Sequence, residues 1–183
     1  MTTINIYMKT LRSMLNEALE AGAIRESQFP FNRNGYRIPS GTRREMAMTK
    51  EQIARVKAWT GDEDVEYWRD LWMFSYLCNG INFRDMLFLK YKDIVNGEIR
   101  FIRSKTSGTS GRSKFIHVSI SPQMSEIIQK RGNKATGDGN QYIFKHAKGN
   151  EDPMQVSMLT RKAIHKCNDA MKKIAADLRI PPF

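Results

Sequence analysis

The sequence predicts a mostly helical protein with one small antiparallel β-hairpin or sheet. Three observations carry this reading. Apolar residues recur at helical spacing along most of the 183 residues. Only Glu98 to Arg103 and Lys114 to Ile120 alternate as strands do, on either side of a loop rich in Ser, Thr and Gly. Start and stop signals for helices fall between the periodic segments rather than inside them.

Ile4, Tyr7, Met8, Leu11, Met14, Leu15, Ala18 and Leu19 predict a long amphipathic first helix, stopped near Gly22. Gln28-Phe29-Pro30-Phe31 follows, and then Asn32 to Arg44, where Gly35, Pro39 and Gly41 replace any periodicity with an extended linker. The expected divisions are therefore residues 1–31, a linker over 32–46, and a main domain over 47–183. Thr49 with Gln52 reads as a capping box, with Met48 stapled onto Ile53, so a helix is expected from about residue 50. Ile53, Val56 and Trp59 mark its buried face and Gly61 its end. Val65, Trp68, Leu71, Trp72, Phe74, Leu77 and Cys78 carry a core helix up to a break at Asn79-Gly80. Beyond the break Asn82 is placed to cap a new turn that Met86, Leu87, Leu89 and Ile94 would bury. After the hairpin, Ser121-Pro122 opens another helix with cap and first-turn proline in their preferred order, ending at Lys130-Arg131-Gly132. Tyr142-Ile143-Phe144 is a short apolar element, and a last long helix is expected from about Pro153 to Leu178.

Thirty Lys and Arg against nineteen Asp and Glu give a formal net charge of +11, which favours a polyanionic partner, nucleic acid first. From Ile99 to Ser125 there is no acidic residue, while Arg100, Arg103, Lys105, Arg112 and Lys114 all fall there. A hairpin of one sign repels itself unless something anionic compensates it; a cationic edge that blocks aggregation is the competing explanation. Arg12, Arg37, Arg43 and Arg44 surround the linker and are candidates for contact with a DNA backbone. Cys78 and Cys167 sit in apolar helical patterns and read as buried, reduced thiols. No metal-ligand spacing stands out and no cofactor is expected. No apolar run approaches a membrane span and no signal-peptide core opens the chain, so a cytoplasmic protein is expected, with no membrane partner.

Three segments taken together resemble the tyrosine recombinase (phage integrase) family, especially integrases of mobile elements in Bacteroidetes-type bacteria. The first is Tyr7 to Ile38, with Leu11-Arg12, Asn16-Glu17-Ala18, Gly22, Ile24, Phe29-Pro30-Phe31 and Tyr36-Arg37-Ile38-Pro39. The second is Phe74-Ser75-Tyr76-Leu77-Cys78-Asn79-Gly80-Ile81-Asn82-Phe83-Arg84-Asp85 with Leu89-Lys90-Tyr91-Lys92-Asp93-Ile94. The third is Arg103-Ser104-Lys105-Thr106. The resemblance implies a catalytic-domain-like DNA breaking-rejoining architecture, preceded by the end of a core-binding domain. It implies double-stranded DNA and other recombinase protomers in a synaptic complex as partners, no small-molecule cofactor, and a bacterial, nucleoid-associated location when DNA is bound.

The implied reaction is strand transfer, in which a tyrosine attacks a phosphodiester to leave a 3′-phosphotyrosine and a free 5′-hydroxyl. The nucleophile is modest and charge gathers on the phosphorane oxygens, so arginines, an acid and a histidine-type donor are required. Lys105 stands where the family places its hairpin lysine, similar to a general acid for the leaving 5′-oxygen; a plain phosphate contact is the alternative. The family's first arginine stands two residues after the helix-breaking glycine, and here that position is Asn82. Arg84, two residues on, and Arg103 are the candidate substitutes. Arg112 and Lys114 complete the expected DNA-binding set.

The family's Arg-His-x-x-Arg box is absent: His117, His146 and His165 have the wrong neighbours, and no tyrosine follows Tyr142. The expectation is a truncated piece that binds DNA weakly and salt-dependently and neither cleaves nor joins it, while the full-length protein would do both. The alternatives are a non-catalytic DNA-binding or regulatory truncated integrase, and a basic RNA-binding protein.

Overall fold

A computed structural model describes residues 3–39, 47–104 and 115–181. The chain divides into two compact units, Met1–Ala47 and Met48–Phe183.

In the first unit, α1 (Thr3–Glu20) ends where Gly22 takes φ +69° and the Ala23 N–H turns back to the Ala18 carbonyl at 2.8 Å. A 3-10 turn, Glu26–Gln28, leads to Phe29 and Phe31, which are buried and meet edge to face with centroids 5.9 Å apart. Tyr36 closes edge-on over Phe31 at 6.1 Å. Near the start of α1 the buried Asn5 amide donates to the Pro39 carbonyl at 2.6 Å. The helix matches the amphipathic pattern, but the side chains of Ile4, Tyr7, Leu11 and Met14 stand exposed.

The second unit is mostly helical around a three-stranded antiparallel sheet. Helix α2 (Lys50–Ala58) opens on the expected box: the Gln52 N–H donates to Thr49 Oγ1 at 3.2 Å, and Gln52 Oε1 accepts from the Thr49 N–H at 2.8 Å. It ends at Ala58, before Gly61, and Val56 is fully buried. Asp62 caps α3 (Glu63–Leu77) by accepting from the Asp64 and Val65 N–H groups, a cap missed in the sequence. The Asn79-Gly80 break closes α3: Asn79 takes φ +52°, and the Gly80 N–H reaches the Ser75 carbonyl at 2.9 Å, a Schellman end. Ser75 Oγ then donates to the Ile81 carbonyl at 2.7 Å and fixes the exit direction.

Beyond the break the structure corrects the expected helix. Helix α4 spans only Phe83–Leu87, and Asn82 sits at its cap position without a side-chain cap bond. A 3-10 turn (Tyr91–Asp93) follows, and Ile94 belongs to a strand, β1 (Ile94–Val95). Asn96 at φ +52° and Gly97 at φ +75° supply the left-handed pair of a tight hairpin turn, so β1 pairs with β2 (Glu98–Ile102), Ile94 opposite Ile99. β3 (Phe115–Ser119) lies on the other side of β2, with Ile99 opposite Val118 and Phe101 opposite Ile116. Ile99, Phe101 and Val118 are buried, so the strand period puts one sheet face into the core.

Helix α5 (Pro122–Arg131) uses Ser121 Oγ to accept from the Met124 N–H. Tyr142-Ile143-Phe144 forms isolated bridges, Lys90 to Tyr142 and Gly132 to Phe144, rather than a strand of its own. Ile143 and Phe144 are fully buried, and Phe144 meets Phe74 edge to face at 5.1 Å. Helix α6 (Pro153–Leu178), capped by Asp152, runs against α3 and α4. Its buried line, Ala163, Cys167, Ala170, Met171, Ile174 and Ala175, is the expected helical stripe. Cys78 and Cys167 are free and buried, and burial pushes their thiols up to about 11 and about 12. No helix among the described residues is long and apolar enough to cross a membrane.

Candidate nucleic-acid interface

The Schellman end of α3 and the short α4 aim the chain so that Arg84, in the first turn of α4, reaches the same hollow as the loop end of β2 and β3. That hollow is a cavity of about 430 Å³. Arg84 and Asp85 line it from α4, Phe88 from just beyond it, Arg100 and Ile102 from β2, and Phe115 from β3. Arg84 is exposed, and among the described residues it makes no ion pair. Its neighbour Asp85 is half-buried and is turned onto the backbone, where its Oδ1 accepts from the Ser104 N–H at 3.3 Å. Asp85 thus ties α4 to the residue before Lys105. Its Oδ2 is buried and finds no hydrogen-bond partner among the described residues. Asp93 faces the cavity too, but one of its oxygens is taken by the Lys90 N–H at 2.8 Å.

Arg100 lies directly opposite His117 across the β2–β3 register, and both approach the Glu98 carboxylate at 3.4 Å. The hairpin's charge is therefore partly compensated at its root by Glu98, which lies one residue before the acid-free stretch. Arg103 is half-buried just beyond β2 and makes further contacts there. Lys105, Arg112 and Lys114 lie outside the described residues, as do Arg43 and Arg44. Arg12 and Arg37 belong to the first unit, where both are exposed. Of the residues singled out in the sequence, Arg84 is the one that lines this cavity. Asp85 and Arg100 join it and were not chosen as site residues. The useful signal was Asp85 three residues beyond Asn82, at a spacing that turns it toward the hairpin side of α4.

A second charged cluster does more than end a helix. Lys130-Arg131 suits the dipole at the end of α5, as expected, but Arg131 is also buried, with its Nε donating to Asp70 Oδ2 at 2.7 Å and its Nη1 bonded to Glu63. Asp70, also buried, accepts from Arg69 Nε at 3.0 Å and Nη2 at 2.6 Å, and Arg69 Nη1 donates to the Trp59 carbonyl. Burial opposes the charge on Arg131, but the hydrogen bonds it donates to Asp70 and Glu63, with their charges, prevail and raise its pKa above the ordinary value. Its guanidinium lies 5.7 Å from the Tyr67 ring, and burial raises the Tyr67 hydroxyl to about 12. That hydroxyl is 2.7 Å from His146 Nε2, and the imidazole packs on Trp68 at 5.4 Å. Burial first, and Lys166 second, lower the His146 pKa.

No group of His, Cys, Asp and Glu among the described residues is arranged to hold a metal ion. No protein-family model, no curated protein and no solved structure matches this chain.

Proposed function

We propose that this chain binds duplex DNA as a protein of the tyrosine recombinase type, with Arg84 and the loop end of the cationic hairpin holding one stretch of backbone phosphate. The observation that carries the reading is the position of Arg84. It is exposed, without an ion pair among the described residues, and it shares a cavity wall with the strand that leads into Lys105. The carboxylates around that cavity bond to backbone N–H groups, Asp85 to Ser104 and Asp93 to Lys90, which leaves the arginine charge for a ligand. The resemblance of residues 74–94 and of Arg103-Ser104-Lys105-Thr106 supplies the reaction class. Arg84 then serves where Asn82 departs from the family's arginine, and Lys105 is the acid for the leaving oxygen.

These 183 residues hold no Arg-His-x-x-Arg box and no tyrosine after Tyr142, so the polypeptide binds without cutting. The test is a titration of labelled duplex followed by anisotropy over a series of salt concentrations. Arg84→Ala is expected to weaken binding at every sequence and to reduce the salt slope by about 1. Unchanged affinity in Arg84→Ala, or a competition in which RNA displaces the duplex, defeats the reading. A covalent complex trapped on a suicide substrate defeats the claim that binding stops short of cleavage.

A further inference from the structure

We infer that the cavity beside Arg84 takes the base of an unpaired nucleotide while Arg84 holds a neighbouring phosphate, so that the preferred ligand is a DNA duplex with one base free of the helical stack. The inference rests on the DNA reading above and adds to it which part of the polymer enters the cavity. Every described residue that lines the cavity belongs to the second unit. Strand alternation turns Ile99 and Phe101 of β2 into the core and Ile102 outward, and Ile102 stands opposite Phe115 of β3. The pair is an apolar, partly aromatic patch on the outer sheet face, 37 and 57% exposed, and both residues border the cavity. Phe88 adds a second ring to the wall, held edge-on against Tyr142 at 5.9 Å.

The chemistry of the wall selects a base over a phosphate. A phosphate drawn inside would meet the carboxylates of Asp85 and Asp93 as well as Arg84 and Arg100, two charges of each sign, so its attraction is largely cancelled. A base is uncharged, has a flat face to lay on Phe115, and brings N–H donors that carboxylates accept. It is joined through its own sugar to a phosphate, so one nucleotide satisfies both the wall and the exposed Arg84. At about 430 Å³ the cavity has room for such a ring system. In a paired helix the faces of each base are covered by its neighbours, and drawing one out costs unstacking and unpairing. A nucleotide that is already unpaired escapes that cost, and it is the form the cavity takes up.

The experiment compares two labelled duplexes of one sequence, the first fully paired and the second carrying a single unpaired adenine, titrated by anisotropy at one salt concentration. The parent is expected to bind the second at least about fivefold more tightly, the worth of stacking one base on an aromatic side chain. Phe115→Ala should bring the ratio of the two affinities to within about twofold, and Phe115→Tyr should keep it. A ratio is the right reading, because a general loss of binding or of folded protein lowers both affinities together. With 2-aminopurine at the unpaired position, emission quenched by stacking in the helix rises on binding to the parent and not on binding to Phe115→Ala. Equal affinity of the parent for the two duplexes, or a Phe115→Ala variant that retains the preference, overturns the inference and leaves DNA binding standing. Failure to bind either duplex overturns the DNA reading and the inference together.

Discussion

Two places in the second unit set arginines beside an aspartate, and they come to opposite ends. Where α3 meets α5, Asp70 is held by Arg69, Lys130 and Arg131, with Glu63 and Glu66 near enough to finish the neutralisation. Where α4 meets the end of β2, Asp85 accepts a hydrogen bond from the Ser104 N–H and leaves its neighbour Arg84 in solvent. Closely similar residue types thus build a closed ion cluster in one place and an unspent cation in the other. The count of counter-charges within reach, not the presence of arginine, separates a structural arginine from one offered to a ligand. A buried ion cluster also has little to gain by existing, since desolvation consumes much of its attraction, but it is severely penalised when one member is removed.

The sharpest break is Asp70→Ala. It leaves Arg69 and Arg131 buried with too little negative charge, and a loss of about 3–5 kcal/mol is expected in urea unfolding. A loss of under about 1 kcal/mol would erase the distinction between the two clusters, since surface pairs are worth that much. A smaller effect at the same cluster comes from pH. His146 has a lowered pKa in the fold, so the unfolded chain takes up its proton first. Its contribution is complete above the ordinary value of 6.5 and erodes as pH falls below that. The melting temperature of the parent should therefore drop over that window more than that of His146→Gln, and parallel curves would refute the assignment. Asp85→Ala removes one long hydrogen bond and should cost about 1 kcal/mol, with its larger consequence in DNA affinity if the hairpin is displaced. Arg84→Ala comes last in stability, within about 0.5 kcal/mol. A clear drop in melting temperature for that variant would show that Arg84 has a structural partner and belongs with Arg131.

The parts of the fold written in local chemistry were legible. The Thr49–Gln52 box, the Ser121-Pro122 start, the Asn79-Gly80 stop and the stripe of α6 each need only a few neighbouring residues to act, and each stands where its residues placed it. The Asn96-Gly97 turn was equally local but was hidden, because β1 is two residues long and too short to show a period. Ile94 was consequently drawn into the preceding helix. Arg69 and Asp70 were hidden for another reason. Charged residues read as solvent-facing, and only the bulk around them, Trp68, Leu71, Trp72, Met73 and Phe74, signals a helix enclosed on most sides. Their partner Arg131 lies some sixty residues away, a distance no local pattern spans. Of the candidate site, Arg84 and the hairpin were legible as separate cations. That they share a wall depends on the angle of a five-residue helix after a left-handed break, which is a tertiary fact.

Ile143 takes on a further meaning when considered as a clock. Its N–H donates to the Leu89 carbonyl and its own carbonyl accepts from the Asn133 N–H, both at 2.8 Å, and its side chain is fully buried. Exchange of that one amide with solvent deuterium requires the segment after α4 to part from the 142–144 bridge, in the midst of the core. Local fraying at helix ends does not reach it, so its exchange rate reads the parting of these segments in the core of the second unit. A single resonance can thus follow the opening of that core seam, while the amides around Arg84 exchange on a schedule of their own.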